Sequence, residues 1–339
     1  MAPYPFSTVT PNVGVVPVPD VRLDVLARMV RPEKVTPAVV NFVDIAGLVR
    51  GASRGEGLGN RFLGHIREVD AVVHVVRLFG DPQVPHVEGA VDPVRDVETV
   101  DTELCLADLE TVSRRLERIA KPARLGQAHY RAEVAVLDRV AKQLNAGVPV
   151  RRQPLARSEW EALRNLHLLT ARPVLYAANV SESALTARPD PALEALLTHA
   201  RVEGAPVVVL SAAFEAELAG LEPDERELFL QDLGRQEPFL PTLIRAAYRL
   251  LGLISFFTTR LPELRAWTVQ DGATAVEAAG KIHTDFARGF IRAEVISFDA
   301  LMAAGDPTAA RERGLVRMEG RDYRVQDGDV IYFRFNVTT

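Results

Sequence analysis

Four strand-length apolar runs recur along the chain: AVVNFVDIAG (38–47), AVVHVVRLF (71–79), PVLYAANVSES (173–183) and APVVVLSAAFEAEL (205–218). Each is rich in Val, Leu or Ala and ends in polar or small residues before a helix-like segment. Near-continuous apolar runs mark strands buried on both faces. Their alternation with helices predicts an α/β domain with a doubly wound, mostly parallel sheet. NVGVVPVPD (12–20) reads as a further strand, placed near an edge by Pro17. Ligands of such sheets bind at the carboxyl ends of the strands, where Asp44, Asn179, Glu182 and Ser211 fall.

Between the second and third runs the period changes to that of a helix. Leu109, Val112, Leu116 and Ile119 form one seam, and Tyr130, Val134, Leu137, Ala141 and Leu144 form another. Pro122 and Gly126 punctuate the junction, so an antiparallel coiled-coil hairpin is predicted as an insertion over 104–165. From about residue 254 short alternating strands take over: RAWTV (265–269), FIRAEVISF (290–298) and DYRVQDGDVIYFRF (322–335). Asp327-Gly328 supplies a turn between two strand-like runs, and TAVEAAGKIHTDF (274–286) fits a helix. The predicted division is therefore 1–103 and 166–253 as two parts of one α/β domain, 104–165 as the hairpin, and 254–339 as a small α+β domain of a size that folds on its own.

Composition narrows the function classes. At 47% hydrophobic and 25% charged residues, the chain is long enough for two or three cores. A single cysteine, Cys105, excludes an internal disulfide framework, and no Cys and His cluster has metal-ligand spacing. No window reaches the apolar length of a membrane span, and MAPYPFSTV lacks the pattern of a secretory leader, so a cytoplasmic, membrane-free protein is expected. A net charge of -5 carries no global signature of nucleic-acid binding, and sequence-specific DNA binding is not expected. Residues 110–152 nevertheless hold 10 Lys or Arg against 4 Asp or Glu. That excess leaves a solvated helical face and an RNA-docking surface both open.

Candidate chemistry sits at the strand ends. An Asp closing a buried strand and followed by x-x-Gly suits a nucleotide switch, in which the carboxylate holds Mg²⁺ and the Gly amide meets the terminal phosphate. Asp44 and Gly47 fit those roles, and Gly51, Gly55, Gly57 and Gly59 make the next segment conformationally permissive. An ordinary strand-ending turn uses the same residue types. Thr8 in YPFSTVTPN is a candidate for the second Mg²⁺ oxygen. Guanine-specific switches use Asn-Lys-x-Asp, whose carboxylate accepts from two donors on the pairing edge of guanine. Here Asn179-Val180-Ser181-Glu182 substitutes Val for Lys and a longer acid for Asp, weakening a guanine preference. Ser211, Ala212 and Ala213 follow the next strand, where small residues let a backbone amide approach a base. Leu48 occupies the place next to Gly47 that often holds a water-orienting Gln, which leaves His65 as the nearest candidate for water activation.

Together these residues resemble the Obg-like ATPase family, also called YchF, among the translation-factor-related P-loop NTPases. The resemblance rests on YPFSTVTPNVGVV, FVDIAGLVRGASRGEGLGNRFL, HVEGAVDPVRDVETVDTEL, Asn179-x-x-Glu182, FFTT with LRAWT, AGKIHTDFARGFIRAEV and DYRVQDGDVIYFRFNV, and spans essentially the whole chain. It implies a G domain interrupted by a helical coiled coil, a C-terminal TGS domain, ATP preferred over GTP, Mg²⁺ as cofactor, and ribosome association. By position it implies Thr8 and Asp44 as Mg²⁺ ligands, Gly47 as a γ-phosphate contact, and Asn179, Val180 and Glu182 as the adenine site. Members of the family carry a strand, a Gly-x-x-x-x-Gly-Lys-Ser phosphate loop and a helix ahead of their YPF. This sequence has Met-Ala-Pro there, and no Gly-x-x-x-x-Gly-Lys-[Ser/Thr] occurs within it. The expectation for these 339 residues is a sheet without its first strand and weak binding of MgATP. A nucleotide-independent RNA- or ribosome-binding protein is the alternative reading, and a GTPase the third.

Overall fold

The computed structural model describes residues 12–45, 58–82, 84–186, 190–260 and 262–336. Thr8, Gly47 and Leu48 lie outside these described residues. The chain runs β1 (Asn12–Pro17), α1 (Val21–Val30), β2 (Lys34–Thr36), β3 (Val39–Asp44), α2 (Leu58–Glu68), β4 (Val72–Arg77), α3 (Pro93–Arg124), α4 (Ala128–Asn145), α5 (Arg157–Leu163), β5 (Val174–Asn179), α6 (Pro191–Glu203), β6 (Val207–Leu210), α7 (Ala212–Ala219), α8 (Pro223–Asp232) and α9 (Phe239–Leu250). It continues with β7 (Leu253–Thr258), β8 (Glu263–Gln270), α10 (Ala275–Ile282), α11 (Thr284–Arg288), β9 (Phe290–Ser297), α12 (Phe298–Ala304), α13 (Pro307–Glu312), β10 (Arg317–Glu319) and β11 (Asp329–Phe335). Two compact units result: Met1–Gly14 with Val43–Leu243, and Val15–Phe42 with Ile244–Thr339.

In the first unit β4, β5 and β6 form a parallel sheet in that order. Residues Val174–Ala178 of β5 are all buried, as a central strand requires. Leu193, Leu196 and Ala200 of α6 cover Val76, Tyr176 and Ala178 on one face. The helix is bounded by the expected signals: Asp190 accepts from the Leu193 amide at 2.8 Å, Pro191 opens it, and Gly204 closes it at φ 72°. The single sheet expected from the four apolar runs is divided. Among the described residues β3 pairs only with β1, and β4 only with β5. In β4 the Val75 side chain is 48% exposed.

The helical hairpin is present, α3 and α4 being joined through Leu125, Gly126 and Gln127. All nine seam residues pack into one core, with Val112, Ile119, Leu137 and Leu144 buried. Pro122 does not mark the junction: α3 runs on to Arg124, and the chain reverses at Gly126, whose φ is +94°. A proline so near the end of a helix removes one amide bond where fraying is already under way.

The second unit holds a six-stranded mixed sheet in the order β10-β9-β11-β7-β8-β2. On one face Ala275, Ala278 and Ala279 of α10 pack on Phe256, Val295, Ile331 and Phe333. On the other, Leu23 and Leu26 of α1 and Leu301 of α12 pack with Phe257, Leu264 and Ile296. Residues 254–339 thus share their core with Val15–Phe42, and β2 extends their sheet by parallel pairing with β8, Lys34 opposite Glu263. This differs from a C-terminal domain closed on itself. Two local differences also arise. The helix expected over 274–286 breaks at His283, whose φ of -162° is extended and whose Nδ1 accepts from the Asp285 amide to cap α11. The run before Asp327-Gly328 is not a strand. It is tied down by Asp329, 1% exposed, which accepts from the Tyr323 hydroxyl and the Gln326 amide, while β10 takes the place beside β9. No helix among the described residues is long and apolar enough to cross a membrane.

Candidate nucleotide site

Parallel pairing brings the carboxyl ends of β4, β5 and β6 level, Arg77 opposite Asn179 and Asn179 opposite Leu210. Asn179 is then fastened on both sides. Its carbonyl accepts from the Leu78 amide and its side-chain Oδ1 from the Ala212 amide, each at 2.9 Å. With Oδ1 engaged, the carboxamide NH₂ remains as a donor for a ring acceptor. Ser211 is buried and caps α7 by accepting from Phe214 N at 3.4 Å. Ala212 and Ala213 begin α7 and are exposed, the Ala212 amide being the one that Asn179 Oδ1 engages. Glu182 starts a short turn, Glu182–Ala184, with its side chain exposed. Val180 differs in kind. Only 4% exposed, it packs in the sheet core, and its amide donates to Leu210 O at 2.9 Å. It supports the site from beneath.

Asp44 ends β3 with its side chain exposed. No described residue hydrogen-bonds or ion-pairs with it. A lone oxygen donor of this kind fits Mg²⁺, which takes one or two carboxylates and fills the remaining positions with water and phosphate oxygens. Among the described residues no group of three or more His, Cys, Asp or Glu could hold a metal ion by itself. His65 lies in the last turn of α2, half-buried and next to the core residue Ile66, again with no hydrogen-bonding partner among the described residues.

The sequence reading missed a buried polar network at the root of the hairpin. Arg151, just past α4, forks onto Asp101 of α3 at 2.7 and 2.8 Å and also reaches Glu203 at the end of α6. The Tyr176 hydroxyl donates to the other oxygen of Glu203. Arg151, Asp101 and Glu203 side chains are 10%, 9% and 3% exposed. Two α3 turns farther, Asp108 is fully buried and accepts from Leu169 N, Thr170 N and Thr170 Oγ1. The available signal was an acidic residue at each of two seven-spaced positions facing an apolar stripe.

His74 adjoins this network, its ring 5.8 Å from that of Tyr176. Burial holds its imidazole below the ordinary value of 6.5, against the opposing pull of Asp101. Below that value the unfolded chain binds the proton and the folded chain resists it, so the stability contributed by neutral His74 is lost as pH falls. The first unit is therefore expected to unfold at lower urea concentration at pH 5.5 than at pH 7.5. His74→Gln should flatten that slope; an unchanged slope would mean that other groups set it.

Comparison with known proteins agrees with the fold. A family model named YchF-GTPase_C, described as a protein of unknown function, matches residues 253–336, and one described as a 50S ribosome-binding GTPase matches residues 1–113. The ribosome-binding ATPase YchF of Haemophilus ducreyi is 51% identical over 337 residues, covering 99% of this chain and 92% of its own. That of Bacillus subtilis is 48% identical over 340 residues with the same coverage. The solved structure of the Schizosaccharomyces pombe YchF GTPase matches with a TM-score of 0.86 at 35% identity, over 98% of this chain and 89% of that one. With the fold, both family models and full-length relatives in agreement, the chain belongs to the YchF family.

Proposed function

We propose that this protein is a Mg²⁺-dependent, ribosome-associated ATPase that takes ATP in preference to GTP. The observation that carries the reading is the base end of the site: Asn179 fastened to Ala212, with Glu182 exposed just beyond. The bacterial relatives carry the name ribosome-binding ATPase, and the Schizosaccharomyces pombe structure the name GTPase. Asn179 donates to the base, Glu182 accepts from an exocyclic amine, and the small side chains of Ala212 and Ala213 let the ring approach. Asp44 would hold the metal, with Thr8 as the expected second ligand and Gly47 the expected amide at the terminal phosphate. Mg²⁺, when bound, neutralises charge on the phosphates. His65 is the proposed water-positioning group in place of a Gln.

The test is competition against a fluorescent ATP analogue, with the family's phosphate loop joined ahead of Tyr4 and, in parallel, without it. MgATP should displace the analogue from the extended chain at a concentration at least tenfold below MgGTP, and the shorter chain should bind weakly. Glu182→Asp, which restores the shorter acid, should narrow the ratio. Preference for GTP in the extended wild type would overturn the assignment. Hydrolysis within twofold of wild type in His65→Ala would remove that residue from the mechanism.

The basic hairpin favours ribosomal RNA as the contact. Arg114, Arg118 and His129 line a cleft among α3, α4 and α5. Arg115 is held by Glu133 of the facing helix at 2.7 Å, whereas Arg114 makes only an exposed contact with Glu110 of its own helix at 3.7 Å. Reversing Arg114 and Arg118 to Glu should therefore weaken ribosome co-sedimentation without breaking that hairpin ion pair, and unchanged sedimentation would point to another surface.

A further inference from the structure

Helix α8 presents a face that the fold itself does not use. Five of its ten residues, Asp224, Glu225, Leu228, Phe229 and Asp232, are all exposed. At about 100° per residue they fall within roughly 140° of the helix circumference. Leu230, on the opposite side, is buried. Leu228 is 63% and Phe229 45% exposed, so two large apolar side chains stand next to each other in solvent. Asp224 and Glu225 lie one turn before them and Asp232 one turn after, on the same surface.

Helix stability does not account for this face. Asp224 and Glu225 suit a first turn, but Asp232 closes the last, where a carboxylate opposes the helix dipole. The charges are not neutralised from within either. Residues 212–243 hold 8 Asp or Glu against 2 Arg. Both arginines are turned onto the backbone of their own segment. Arg226 donates to Leu218 O at 3.1 Å and to Leu221 O at 3.2 Å, fastening α8 to the end of α7. Arg235 donates to Glu237 O, and its guanidinium lies 3.8 Å from the centre of the Phe239 ring. Among the described residues the carboxylates of Asp224, Glu225 and Asp232 have no ion-pair or hydrogen-bond partner.

An apolar pair between unpaired carboxylates repels a phosphate backbone and attracts a segment in which Lys or Arg flank apolar side chains. On a particle built of RNA and protein, the protein segments that neutralise phosphates have that basic composition. We infer that the exposed face of α8 docks a basic segment of a ribosomal protein, one that carries apolar anchors, in addition to the RNA contact proposed for the hairpin. The inference rests on the ribosome association proposed above. Leu228 and Phe229 supply the anchor, and the carboxylates set register and steer the encounter.

Photo-crosslinking and co-sedimentation of the full chain with purified ribosomes test the face. With p-benzoylphenylalanine in place of Phe229, irradiation should attach the chain to a ribosomal protein, at a Lys- or Arg-rich peptide identified by mass spectrometry. Leu228→Ser combined with Phe229→Ser should weaken co-sedimentation by about fivefold or more, as loss of an interface anchor does. Reversal of Asp224, Glu225 and Asp232 to Lys should do the same. Urea midpoints should stay close to wild type, because all five side chains are exposed. If the reversal unfolds α8, Asp224→Asn with Glu225→Gln and Asp232→Asn removes the charge at constant size and should weaken binding in the same direction. Crosslinks confined to ribosomal RNA, or folded variants that sediment as the wild type does, overturn the docking face and leave ribosome association standing. Failure of the wild type to co-sediment overturns that association and the inference with it.

Discussion

Arg151→Met is expected to lower the stability of the first unit by about 3–5 kcal/mol, the usual loss when one partner of a buried ion pair is removed. The reason lies in what remains. Asp101 and Glu203, 9% and 3% exposed, would face each other without a cation, and Glu203 would keep only the Tyr176 hydroxyl. The methionine fills much of the volume, so the loss reads charge rather than cavity. Urea unfolding followed by Trp160, which packs in the hairpin core, measures it. Adding Asp101→Leu should recover part of the loss, because it removes one of the two stranded carboxylates and leaves only Glu203, which keeps the Tyr176 hydroxyl. A loss below 1 kcal/mol for Arg151→Met would mean that water enters the network.

In the chain extended with the phosphate loop, Asp44→Asn should reduce Mg²⁺-dependent ATP hydrolysis by about 100-fold, equivalent to about 2.7 kcal/mol of transition-state stabilisation. Stability should change by less than about 0.5 kcal/mol, as for surface substitutions generally, because the carboxylate is exposed and no described residue bonds it. The two expectations together separate a functional carboxylate from a structural one. Equal losses of activity and stability, or activity within threefold of wild type, would return Asp44 to the status of a strand-ending turn residue.

The ends of the buried strands were legible because a small polar residue after a run of buried apolar ones has few structural roles. Asn179 and Ser211 fall where the patterns place them, on level strand ends. The hairpin seam was legible because steps of three and four survive any tertiary context. Val180 shows the limit of motif reading: placed in the base site by resemblance, it continues the apolar run of β5 into the core. The inclusion of residues 15–42 in the C-terminal sheet left no local sign. A three-residue strand such as β2, with Lys34 and Val35 exposed, shows neither alternation nor an apolar run, and pairing across more than 200 residues leaves no period to detect. The break at His283 was hidden for another reason, since the residue caps its successor helix while the apolar spacing continues across it. Asp101 and Asp108 stood in plain view, but a carboxylate on a helix reads as solvated until its partners from distant segments are known.

The shared core of the second unit bears on how the chain is made. Leu23 and Leu26 leave the ribosome early, yet Phe257, Leu264, Ile296 and Leu301, against which they pack, follow more than 200 residues later. At roughly 5–20 residues per second, that interval is on the order of ten seconds or more. During it the apolar face of α1 has only its near neighbours Val18, Ala38, Val40 and Phe42 as native partners, so residues 15–42 wait for the rest of their core.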